Sequence, residues 1–199
     1  MCSSDLNIAV QRFVCAREGL RTWREIAEAA ESPSTFSPFT EYDDRITYAL
    51  CTQSSARLGL ELGAFLRVLG RYWVEGVASI EYANILESAN GDFSRFVMGL
   101  DHMHERMRTN FPNYDPPAFR VKRMSSDAAS RVELQVDYYS RREGLLPFVE
   151  GIFEGLGTYF NVQISITHVE QTELPCRRML IACQRENRGN ASSAATTAS

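Results

Sequence analysis

The chain has 199 residues, 44% of them apolar and 23% charged, with a formal net charge of -4. That length and apolar content suffice for one domain or two tightly joined subdomains with a real core. The mixed charges leave no basic footprint for nucleic acid, and no apolar run approaches a membrane span.

The opening residues, MCSSDLNIAVQRF, place no basic region ahead of an apolar one, so no secretory signal is expected. Five cysteines are scattered without a CxxC pair, which fits reduced thiols and a cytoplasmic location. Leu6, Ala9, Val10, Phe13 and Val14 mark a first amphipathic helix, and after Gly19 a second carries Trp23, Ile26, Ala27 and Ala30. A loop at 33–38 follows. Asp43 or Asp44 can cap a third helix with Ile46, Leu50 and Leu58. A fourth carries Leu62, Phe65, Leu66, Leu69, Tyr72 and Trp73, and a short helix lies around 82–88.

The stretch 92–119 organises the chain. Asp92 can cap a helix that runs to about Asn110 and stops before Pro112. Its apolar face holds Phe93, Phe96, Val97, Leu100, Met107 and Phe111. Between Leu100 and Met107 the stripe position is His104, an imidazole where a leucine would otherwise stand. His102 points off the stripe, among Arg95, Gly99 and Arg106. A lone histidine on an apolar face is more often a hydrogen-bonded core residue than a ligand.

The period then changes from helical to alternating. Ala118–Met124 reads as a strand, 125–130 as a turn, and from Arg131 the residues Val132, Leu134, Val136, Tyr138, Ser140 and Arg142 share one face. A helix with Phe148, Ile152, Leu156 and Tyr159 follows Pro147. Two strands, 161–170 and 176–184, joined by a turn at 172–175, complete the pattern. Helices followed by a small antiparallel sheet make an α+β fold. A single domain is expected over 1–185, with a helical part to about residue 65 and the sheet-bearing part from about 66. The small, polar 186–199 reads as a disordered tail.

Tyr138, Ser140 and Arg142 are three hydrogen-bond donors at the end of an apolar strand face, and arginine adds a fork suited to a carboxylate. Alone they read as a strand end emerging into water. With a histidine on another element they suit a ligand with an apolar body, acidic groups and a metal, and heme has that chemistry.

These residues carry a resemblance to the heme-nitric oxide/oxygen binding (H-NOX) family, which includes the heme domain of soluble guanylate cyclase. Leu100, Asp101 and His104 resemble its Leu-Asp-x-x-His segment, with Pro116, Pro117 and Phe119 after it. Tyr138, Ser140 and Arg142 resemble its Tyr-x-Ser-x-Arg signature, and 144–151, Gly19 and Trp23 are similar too. The likeness runs from about Leu6 to Gln184. It implies a ferrous heme b with His104 as axial ligand, propionates held by Tyr138, Ser140 and Arg142, and Pro117 pressing on the porphyrin. Leu100 is expected to belong to the same pocket.

On the distal side, Leu6 and Val10 are expected to line the gas pocket, with Phe148 where oxygen-binding members carry a tyrosine. Trp73 is the one nearby donor to weigh, against plain core packing. An apolar pocket gives polarised oxygen little help, so the resemblance implies a sensor of nitric oxide (and carbon monoxide), signalling by release of His104 to a separate histidine kinase or cyclic-di-nucleotide enzyme. An oxygen or redox sensor, or a heme-free interaction module of the same fold, is the alternative. Some relatives carry zinc near His168 and Cys176, but Gln171 stands where another cysteine is needed, so no zinc is expected. No phosphate loop, nucleophile elbow or paired-carboxylate motif points to an enzyme.

Overall fold

A computed structural model describes residues 3–37, 40–110, 116–124, 131–169 and 176–185. The expected turns at 125–130 and 172–175, Phe111, Gln171 and the tail 186–199 lie outside the described residues. Helix α1 spans Ser3–Ala29 and is bent where Gly19 takes φ 82° and ψ 169°, a conformation only glycine adopts without strain. Helix α2 is Asp44–Arg57, capped by Asp43, whose carboxylate accepts from the Arg45 amide at 2.9 Å. Helix α3, Leu62–Trp73, is capped by Glu61 in the same way.

A π turn at Val74–Ala78 and two short helices, α4 (Ser79–Glu81) and α5 (Ala83–Glu87), replace the single short helix expected around 82–88. The long central helix also divides. Helix α6 is Phe93–Met98, capped by Asp92, and α7 is Leu100–Asn110. The break falls at Gly99, which keeps helical dihedrals (φ -85°, ψ -8°), so the apolar stripe continues in phase across it.

Four strands follow: β1 (Ala118–Met124), β2 (Arg131–Tyr139), β3 (Val162–Val169) and β4 (Cys176–Arg185). Helix α8, Leu146–Tyr159, lies between β2 and β3 and has Pro147 in its first turn, where the missing amide hydrogen costs nothing. The sheet is antiparallel throughout, in the order β1-β2-β4-β3.

The apolar residues form two cores. One gathers Leu6, Val10, Phe13, Trp23, Leu50, Phe65 and Leu69 from α1, α2 and α3, and takes Leu145 and Phe148 from the start of α8. The other joins the inner sheet face to α6, α7 and the rest of α8. In it Leu134, Val136, Met179 and Ile181 are 0% exposed, each burial contributing about 1.5–3 kcal/mol. Trp73 and Ile152 touch both cores.

Helices α3 and α8 tie the two together at very short range. A Cβ on Gly151 would lie 2.0 Å from the Arg67 carbonyl oxygen, and one on Gly70 would lie 2.2 Å from that of Phe148. Charges flank this contact: Arg67 pairs with Glu150 at 3.0 Å and with Glu154 at 2.6 Å, and Arg71 pairs with Glu154. Glu150 is buried, so stripping it of partners would cost about 3–5 kcal/mol.

Candidate functional site

One face of the candidate site is built where α7 crosses the start of β1. Three residues on one side of α7 hold the incoming backbone. The Phe119 amide donates to Asp101 Oδ1 at 3.2 Å, His104 Nδ1 lies 3.0 Å from the Pro117 carbonyl oxygen, and Arg108 donates to the Pro116 carbonyl at 2.9 Å. Their spacing is the one that repeats on a single helix face.

The Pro117 contact decides the state of the imidazole. A carbonyl oxygen can only accept, so Nδ1 must carry the hydrogen and the lone pair is left on Nε2. Burial pushes the His104 pKa down from 6.5 to about 4, against the opposing pull of the Pro117 carbonyl. The ring is therefore neutral at pH 7, the form that binds metals. His102 is exposed two residues away, as its place off the stripe led one to expect.

From His104 the rings run inward. Its centroid is 5.6 Å from that of Phe119, which is 5.4 Å from Tyr138, its partner across the strands. Tyr138 is buried, and burial raises its pKa, so the hydroxyl stays a donor. That hydroxyl is hydrogen-bonded to Ser140, whose Oγ accepts from the Arg142 amide at 3.0 Å.

Here the structure departs from the simple alternation. β2 ends at Tyr139, so Ser140 and Arg142 sit in the loop that follows. The Arg142 guanidinium does not stand alone: Asp44 Oδ1 lies 2.5 Å from its Nη2. The Tyr48 hydroxyl donates to the Glu143 carbonyl at 2.8 Å, so the first turns of α2 grip the same loop.

Leu6, Val10 and Phe148 are 1%, 0% and 4% exposed and belong to one core. Their side chains offer no hydrogen-bond donor. Trp73 lies partly buried between the two cores, its ring 6.0 Å from Tyr82. Leu100 is buried in the sheet core. Two surface grooves flank α5, of about 370 Å³ by Leu86, Tyr159 and Phe160, and about 180 Å³ by Ile85, Phe96, Leu100 and Met103. Neither is lined by His104 or Tyr138.

Sequence reasoning missed Asp44, Tyr48 and Arg108 and gave Asp101 no role. A signal for Asp44 was present: Asp43 and Asp44 adjoin, and a helix needs one cap. Arg108 lies a turn beyond His104 on the same stripe. His168 is exposed, and its Nε2 is 2.7 Å from buried Glu150. Among the described residues no group of three or more His, Cys, Asp or Glu is gathered as a metal would require.

The donor set fits heme: a neutral imidazole with a free nitrogen, a buried hydroxyl, a serine and a guanidinium for acidic groups, and apolar walls. The family described as haem-NO-binding matches residues 6–168, and the chain belongs to it. H-NOX domains of this family bind heme and act as gas sensors that signal to partner proteins.

Two sequence relatives are the soluble guanylate cyclases gcy-31 of Caenorhabditis elegans and 89Db of Drosophila melanogaster. They are 24% and 23% identical over 71% and 72% of this chain. The chain spans about a fifth of their length. A mutant H-NOX protein from S. oneidensis in the Fe(II) ligation state superposes with a TM-score of 0.78 at 19% identity, covering 96% of this chain and 98% of that one. An oxygen-binding H-NOX domain, solved as its oxygen complex, gives 0.70 at 19% identity over 90% and 92%. Both share the fold: helices with a small four-stranded antiparallel sheet.

Proposed function

We propose that this chain senses nitric oxide through ferrous heme b, and reports to a separate protein. The observation that carries this is the pairing of a neutral His104, its Nε2 lone pair open, with a distal wall of Leu6, Val10 and Phe148. When bound, the heme supplies an iron with one coordination position for His104 and one for a diatomic gas. The protein's part is positional. His104 holds its nitrogen at a fixed angle through Pro117, Tyr138, Ser140 and Arg142 would donate to the propionates, and Pro117 would pack against the porphyrin. Trp73 packs between the two cores.

Selectivity follows from what the distal wall lacks. Oxygen is the more polarised ligand and gains most from a hydrogen bond, which leucine, valine and phenylalanine cannot give. Nitric oxide and carbon monoxide need no such help. The state is read on α7, the helix that carries His104 and is laced to β1 by Asp101 and Arg108. Release of His104 would leave that helix free to shift, and a ligand could drive the shift only by favouring the released state. A histidine kinase or a cyclic-di-nucleotide enzyme is the partner class for such an output. The test is to reduce the heme-loaded protein, expose it to air and then to nitric oxide. No stable oxygen spectrum should form in air, and nitric oxide should give a five-coordinate spectrum. A persistent oxygen spectrum refutes the selectivity. Phe148→Tyr, which adds a donor, should slow oxygen loss.

A further inference from the structure

Arg142 is already matched by one carboxylate, since Asp44 Oδ1 is 2.5 Å from its Nη2. Heme brings two more, and Tyr138 and Ser140 are neutral donors. A carboxylate drawn out of water needs a charged partner as well as neutral ones. The site read from the Tyr-x-Ser-x-Arg pattern is therefore short of positive charge.

A second cation stands on the same sheet face. β4 runs antiparallel to β2 with Arg177 directly opposite Tyr138. Met179, Ile181 and Cys183 alternate along β4 into the sheet core. The same period puts Arg177 on that inner row, at the end where it opens to solvent. Directly opposed residues hold their Cβ atoms about 4.5–5.5 Å apart, so the Arg177 side chain leaves the sheet beside that of Tyr138. Arg178, one residue on, faces the other way and forks onto Asp137 at 2.6 and 2.8 Å. Alternation thus gives the two neighbouring arginines separate duties.

We propose that Arg177 is a further heme-binding residue, a second cationic anchor for the propionate carboxylates. This rests on the reading of the chain as a heme protein. The test loads the full chain and its variants with hemin and measures the rate of heme transfer to excess acceptor apoprotein. Arg177→Ala should speed loss about twofold to fivefold, the range of a partly exposed ion pair. Arg177→Lys should restore most of the retention. Lys122→Ala removes the same charge from the opposite sheet face and should leave the rate unchanged. Added salt should accelerate loss from wild type more than from Arg177→Ala. If Arg177→Ala keeps heme as wild type does while Arg142→Ala loses it faster, the second anchor is overturned and the heme reading stands. A wild-type chain that takes up no hemin overturns both.

Discussion

The ionisation of His104 can be read from stability alone, without any bound group. In the folded chain burial holds its pKa at about 4, against 6.5 for an unperturbed histidine. The folded value is the lower one, so the unfolded chain takes up the proton first. The stabilisation from a neutral His104 is whole above pH 6.5 and is lost as pH falls toward 4. The gap corresponds to about 3 kcal/mol, with a slope of up to roughly 1.4 kcal/mol per pH step between those limits. The perturbation is His104→Gln, which keeps an amide donor for the Pro117 carbonyl and removes the titration. Urea unfolding of the heme-free protein at pH 7, 5.5 and 4.5 gives the free energies. Carboxylates such as Asp137, held below their ordinary range by Arg178, weaken in acid in both proteins and cancel in the difference. Wild type should lose more stability than the variant between pH 7 and 4.5, by about 2 kcal/mol or more. Parallel curves would refute the half-buried, neutral imidazole.

Three further outcomes are expected. His104→Gly should abolish heme binding or make it depend on added imidazole, while His102→Ala leaves the absorption spectrum unchanged. Arg142→Ala should weaken heme binding well beyond Arg141→Ala, by the roughly 1.5–3 kcal/mol of a charge-assisted hydrogen bond; equal effects would mean the loop after β2 is misread. Gly151→Ala forces a Cβ against the Arg67 carbonyl and should cost about 1–3 kcal/mol, lowering Tm by roughly 2–10 °C. Gly99→Ala, whose Cβ would meet only local carbonyls at 3.4 and 3.5 Å, should stay within about 2 °C of wild type by calorimetry.

The sheet was legible because its signal is local. Strand alternation repeats every second residue, and β1, β3 and β4 fall within a residue of their expected bounds, while β2 stops at Tyr139, three residues short of Arg142. The division at Gly99 was hidden because a glycine in helical dihedrals keeps the stripe in phase on both sides. The π turn at Val74–Ala78 left no mark, since one widened turn within an apolar run changes neither composition nor capping. Of the candidate site, the side chains could be named, but their partners could not. Asp44 and Arg142 meet only because α2 packs on the loop after β2, and no spacing rule joins residues that far apart. Nothing in the sequence marked Glu150 as buried, and its partners come from two elements, Arg67 from α3 and His168 from β3.

The acceptor that sets the tautomer of His104 is a main-chain oxygen. No codon specifies that atom, so no single substitution deletes it. Pro117→Ala would take the ring of the proline away and leave the carbonyl in place. The pressure proposed for Pro117 and the direction of the His104 lone pair are therefore separable by mutation. Descendants of this chain can change the side chain at position 117 and still keep the main-chain acceptor that fixes the His104 tautomer.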